Sequence, residues 1–456
     1  MTAFRDSRSK RWSRRTIVKA GVAGLTVPLV AADVTRAASG NATWRTVSTM
    51  RAQDSVTLQA TVWLGDIEFQ AMQELAAVYT ANHPEVTVEF INIVDGGPWG
   101  RDQLQRMIAG GTPPDLMMMN TGQFEAFGSR GALAELDERV TADAFDLNVY
   151  WPSAVEGCRI DGKLYGLPKD ISNHVVYLNT DFFAAAGVEL PTNEWTWAQF
   201  REISKALTRD TDGDGQIDRW GIGIVNSSWS WGSFVHTNGG QIMNDERTEC
   251  LLNTDPAKEA LRQYFGVISE DASAVPPGAL PQLEGASDLF LGGITGMNMA
   301  GPWFRPNLIE NIPFNWTIRL YPRPAAEPPV SVLYTDQWAM SADTDSPEQA
   351  WSFLKFMGGP EGLLAWSGIY GSRSIAPLVE ITSSDGWLNY GGEAHRADNE
   401  LILTQLDKTV PPATNFGDGS TVENIWDDAF DLVIVGQQDV DTAVSTIVES
   451  INSELG

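Results

Sequence analysis

Between Arg209 and Trp220 the chain reads RDTDGDGQIDRW. Asp210, Asp212, Asp214 and Asp218 carry carboxylates at close spacing, with Gly213 and Gly215 between them. Oxygen ligands in this rhythm suit calcium, a hard cation that takes carboxylates and carbonyls. Counted from Asp210, aspartates fill the first, third and fifth coordination positions. Gly215 supplies the turn, Gln216 a backbone carbonyl, and Asp218 the ninth position. Gly221 stands where a calcium sensor needs a bidentate Glu, and WGIGIV (220–225) reads as a strand, not an exiting helix. A sensor works by moving two helices, so the expectation is a structural Ca2+ clip held by Asp210, Asp212, Asp214, Gln216 and Asp218. An acidic solvated turn is the alternative. The rest of the chain offers little for covalent or redox chemistry. His83, His174, His236 and His395 lack metal-ligand spacing, and His174 reads as an ordinary strand residue. There is no Gly-x-Ser-x-Gly elbow, phosphate-cradling loop or Cys-His motif. Cys158 and Cys250 read as buried thiols.

The elements that must position such residues alternate between strand and helix. VTLQATVWL (56–64) alternates like a half-buried strand, and a helix follows, with Asp66 as a candidate cap. VTVEFINIV (86–94), a helix near 100–109 and DLMMMN (115–120) continue the pattern. After the Gly-Leu-Pro break at 166–168, SNHVVYLNT (172–180) reads as a strand, and Thr196 caps the helix that carries Trp197, Phe200, Ile203 and Leu207. Further strands are expected in ITGMNMAG (294–301) and SVLYTDQWAMSA (331–342). Such alternation means α/β sheets with crossover helices, and 456 residues exceed what one core usually organises. A net charge of -28 disfavours nucleic acid as a partner. At the N-terminus SRRTIVK (13–19) precedes a mild apolar run, Ala20 to Ala32, and resembles a twin-arginine export signal ending near residue 38. That region has no Cys to carry a lipid anchor, and residues 39–53 read as a linker.

Four stretches, in order, carry a resemblance: VWLGD (62–66), AGGTPPDLMMMNTGQFEAFGSRGALAELD (109–137), DGKLYGLPKDISNHVVYLNTDFFAAAGVELPTNEWTWAQF (161–200) and GITGMNMAGPWF (293–304). Together they resemble the extracellular solute-binding proteins of sugar ABC importers, the family of maltose-binding protein. The resemblance implies a type II-like periplasmic-binding-protein fold: two α/β lobes, a hinge, and a ligand cleft between them. One lobe would hold 54–168 plus 324–365, the other 169–323 plus 366–456. It implies a monomer, exported to the periplasm or the outer face of the cytoplasmic membrane, that hands an oligosaccharide to ABC permease subunits without catalysis. A secreted carbohydrate-active enzyme and a binder of a non-sugar solute such as a polyol phosphate are the competing expectations.

A sugar presents apolar C–H faces and many hydroxyls. It calls for flat aromatic surfaces and for side chains that pair with hydroxyls; a buried polar group left unmatched costs about 1–3 kcal/mol. The chain has 17 Trp, and several sit just beyond strand ends, where α/β sheets place ligands. Trp63, Trp99, Trp231, Trp303 and Trp338 are the stacking candidates, Trp303 because the resemblance includes Gly-Pro-Trp. Trp195 and Trp197 read as packing. Asp66, Glu68, Thr121, Gln123, Asp170 and Asp336 are the hydroxyl-pairing candidates, although Asp66 and Thr121 also read as helix caps. Arg373 is the one basic residue expected near the cleft, with a surface ion pair as its alternative.

Overall fold

The computed structural model describes residues 55–93, 100–280, 285–324, 328–371, 373–412 and 419–455. The expected export signal, the linker and Trp99 lie outside the described residues.

Val56–Val62 and Val86–Asn92, both rich in β-branched residues, pair in parallel along their full length. Leu116–Asn120 adds in parallel on the other side. Tyr334–Met340 then runs antiparallel to it, and Gly166–Ser172 closes the sheet as an edge strand. Pro168, which reads in sequence as a break, lies inside that edge strand; an edge tolerates a residue with no N–H to donate. The second sheet has the order Trp316–Arg319, Val175–Asn179, Thr295–Ala300, Trp220–Ile222, with only its last pairing parallel.

Two segments join the sheets. Gly166–Ser172 passes into Val175–Asn179 through Asn173 and His174 alone, and the chain returns after Trp316–Arg319 to Tyr334–Met340. Each sheet has its own core. The first buries Leu58, Met72, Trp338, Trp351 and Trp366; the second buries Trp195, Trp231, Phe265, Trp426 and Phe430. The fold is thus a two-lobed α/β binding-protein fold. Cys158 and Cys250 are buried and unpaired. Among the described residues no helix is long and apolar enough to cross a membrane.

Local signals set several element ends. Thr196 accepts from the Gln199 N–H at 3.3 Å, and Gln199 accepts from the Thr196 N–H at 2.8 Å, closing a capping box on the helix Trp197–Leu207. Thr196→Ala is expected to lower the unfolding free energy by about 1 kcal/mol, measured as a lower denaturant midpoint. Asp66 does not cap its helix. Gly65 holds that position, and Asp66 is the first helical residue, where its charge favours the helix N-terminus.

Candidate ligand-binding site

A cavity of about 460 Å³ is lined from both sheets. Trp63, Glu68, Met118, Asn120, Lys169, Asp170 and Asp336 come from the first sheet and its helices. Trp229, Trp303, Pro306 and Glu423 come from elements beside the second. His174 and Tyr334, on the two joining segments, complete the wall with Tyr370 and Arg373.

One wall is an aromatic corner. Trp303 follows Gly301-Pro302 in a 3-10 turn, with the Gly301 carbonyl accepting from the Tyr177 hydroxyl at 2.9 Å. The indole folds back over Gly301; a Cβ there would lie 1.8 Å from the ring and push the indole out of this position. The ring is 46% exposed, unlike the many buried tryptophans. His174 stacks on Trp229 at 4.3 Å and 13°, and Trp303 stands nearly perpendicular to both, at 82° and 87°. The Val332 carbonyl accepts from His174 Nδ1–H at 3.1 Å, and burial pushes the imidazole down to about 3, so this ring stays neutral.

The floor is charged and buried. Lys169, 5% exposed, donates to Asp170 Oδ2 at 2.8 Å and to Glu68 Oε1 at 3.3 Å. Burial opposes its charge, yet Asp170, Glu68 and Asp336 outweigh that and hold the ammonium well above its usual range. Asp336 faces Asp170 directly across the strand pair. Burial, then the Asp170 charge, hold its carboxyl well above the usual carboxylate range. Arg373 ion-pairs with Glu310 at 2.6 Å and lies over the Tyr370 ring at 5.2 Å.

The structure therefore brings together Trp63, Glu68, Asp170, Trp303, Asp336 and Arg373 from the sequence candidates. It turns others away. Trp231 is fully buried against Trp426 and Phe430, at 5.5 and 5.2 Å. Two residues on a helix are about 200° apart, so Trp229 takes the cavity face and Trp231 the core. The same phase separates Glu68, in the cavity, from Asp66, which is exposed outside it. Trp338 is 1% exposed in the first core, under the helix Pro347–Gly358. Thr121 neither caps nor reaches the cavity; its hydroxyl donates to the Thr335 carbonyl and accepts the Thr335 N–H, both at 3.0 Å. Asn120 is the cap, accepting the Gln123 N–H at 3.0 Å, and Gln123 itself is buried off the cavity. Lys169, Trp229, Tyr334 and Tyr370 were not among the sequence candidates, and His174, which reads in sequence as an ordinary strand residue, lines the cavity. Trp229 was signalled by its place beside Trp231 in SSWSWGS; the others become neighbours only through long-range folding.

In the loop that leads into the strand Trp220–Ile222, carboxylate oxygens of Asp210, Asp212 and Asp214 lie within 4.8 Å of one another. Gly213 and Gly215, with φ of 80° and 89°, let the loop fold tightly, and both donate N–H groups to Asp210 at 2.7 Å. Asp218 is drawn off instead: it accepts from the Thr211 N–H at 2.9 Å and hydroxyl at 2.5 Å. The three converging carboxylates fit a hard cation; Asp218 stands outside that group.

A model of the bacterial extracellular solute-binding proteins matches residues 66–363. The chain is 26% identical over 361 residues, 74% of this chain and 75% of the relative, to an uncharacterised lipoprotein of Streptomyces antibioticus. It is 30% identical over 223 residues to the lactose-binding protein of Rhizobium radiobacter, covering 46% of this chain and 49% of that one. Among solved structures it is similar to an ABC substrate-binding protein of Listeria monocytogenes in complex with cycloalternan, with a TM-score of 0.76 and 24% identity, covering 88% of this chain and 100% of that one.

Proposed function

The chain belongs to the bacterial extracellular solute-binding protein family, the capture subunits of ABC transporters, and we propose that its own solute is a carbohydrate, in particular an oligosaccharide. Membership makes it a binding protein outside the cytoplasmic membrane, not an enzyme, and sets aside the carbohydrate-active-enzyme expectation. The observation that carries the sugar reading is the cleft itself, where the aromatic corner of Trp229 and Trp303 stands over a polar floor. Flat faces match C–H surfaces, and Asp170, Asp336, Glu68 and Asn120 match hydroxyls. Both cations in the wall, Lys169 and Arg373, are already paired with carboxylates, which disfavours a polyol phosphate. In this reading the first lobe keeps the whole edge strand Gly166–Ser172, so the expected division after 168 moves to 172; the protein is a monomer exported by a twin-arginine signal, and closure delivers the sugar to the permease subunits. A thermal-shift screen of neutral mono- and oligosaccharides tests it. Saturating sugar at about 100 times Kd should add about 2.7 kcal/mol of stability; a flat response across the panel would contradict the reading.

Calcium is the second part of the proposal. Asp210, Asp212 and Asp214 would hold the ion, and the ion would tie the loop shut by neutralising three adjacent carboxylates. Chelation is expected to lower the melting temperature and leave sugar specificity unchanged. Loss of sugar recognition with no loss of stability would refute a structural role.

A further inference from the structure

Asp170 and Asp336 are direct cross-strand partners on the two neighbouring strands of the first sheet, Gly166–Ser172 and Tyr334–Met340, that adjoin the joining segments. Both side chains line the cavity. Like charges placed directly opposite on an antiparallel pair repel each other. The nearest cation, Lys169, does not relieve the pair evenly, since its hydrogen bonds go to Asp170 and Glu68. Three carboxyls thus share one ammonium in a buried site. The other charged or titratable groups on this cavity are Arg373 beside Tyr370, Glu423 from the helix Gly419–Ile434, Tyr334, and the neutral His174. Arg373 is held by Glu310, and Glu423 lies 3.7 Å from Arg101. No cation among the described lining residues is left to balance a second carboxylate.

We infer that Asp170 and Asp336 hold one proton between them, and that this one-proton pair is the polar recognition unit of the cleft, selecting uncharged polyhydroxyl ligands and linking their binding to proton uptake. The inference rests on the sugar reading above and narrows it. A carboxylic acid beside a carboxylate offers a donor and several acceptors within one strand spacing, which suits adjacent hydroxyls. An anionic ligand meets Asp170 and Glu68 with no free cation. A bound sugar displaces water from the pair, which further disfavours its doubly ionised form. Above the pH at which the free pair loses its proton, each binding event must take one up. Affinity therefore falls as pH rises there, by about tenfold per pH unit, and is flat below it.

Two measurements on the full-length mature chain test this. Carboxyl 13C NMR of aspartate-labelled protein, without ligand, should show an aspartate signal that is still protonated at neutral pH and is lost in Asp336→Asn, distinct from that of Asp427, which burial and its acidic neighbours push up to about 7. If the signal lost in Asp336→Asn is already ionised from pH 5 upward, the pair is overturned, whether or not a sugar binds. Calorimetry with the tightest neutral saccharide should give the falling limb above the NMR midpoint in the wild type and no such limb in Asp336→Asn. A pH-independent wild-type affinity across the midpoint overturns the linkage. An affinity that rises with pH overturns it, because binding would then release a proton instead of taking one up. If no saccharide binds, the sugar reading fails, and the NMR titration still decides whether the pair holds its proton.

Discussion

Lys169→Met is expected to lower the unfolding free energy by about 3–5 kcal/mol, the cost of breaking a buried charge pair from one side. Lys169 is 5% exposed, and its ammonium holds Asp170 and Glu68 by hydrogen bonds and Asp336 by charge. Methionine keeps the packing volume and removes the charge. Asp170, 7% exposed, and the half-buried Asp336 then face each other across the strands without the Lys169 charge. The deficit has a definite pH sign. In the variant the Asp336 carboxyl, already raised by burial and the Asp170 charge, loses the Lys169 charge that lowers it, so the folded state holds more protons than the unfolded chain. Stability is then lost as pH rises above about 4, and the variant should approach the wild type in acid. Urea titrations at pH 4.5 and 7.5 check it. An equal deficit at both pH values would mean that lost packing, not lost charge, is the cause.

Trp303→Ala should cost about 70-fold in sugar affinity. A saccharide covering about 100 Å² of indole, at about 25 cal/mol per Å², accounts for about 2.5 kcal/mol. Because the ring is 46% exposed, its loss should change stability by less than about 1 kcal/mol. That separates it from Trp231, whose truncation would open the second core. Calorimetry gives the affinity and thermal unfolding gives the control. A variant that binds as tightly as the wild type would remove Trp303 from the site.

How far the sequence reaches is visible in these residues. The strands at 56, 86 and 116 and the helix after Thr196 follow from β-branched runs, apolar spacing and a capping box, all local signals. Trp63 and Trp303 were readable because strand ends and a Gly-Pro-Trp turn are local too. Trp231 and Asp66 were misplaced by helix phase: the motif announces a tryptophan or an acid near the cleft, but the turn of the helix decides which one faces it. Trp338 was misplaced because its strand runs on from the cavity into the core. The charged floor was the least readable part. Lys169 meets Glu68 across 101 positions of chain, and Asp336 meets Asp170 only after the return segment brings the two strands side by side.

The central claim is that a neutral carbohydrate binds between the aromatic corner and the carboxyl floor. Isothermal titration calorimetry with a panel of neutral oligosaccharides and matching sugar phosphates tests it most directly. The account expects a saturable one-to-one heat from at least one neutral sugar, weakened about 70-fold by Trp303→Ala, and none from the phosphates. Saturable binding of a sugar phosphate with no response to any neutral sugar would contradict it.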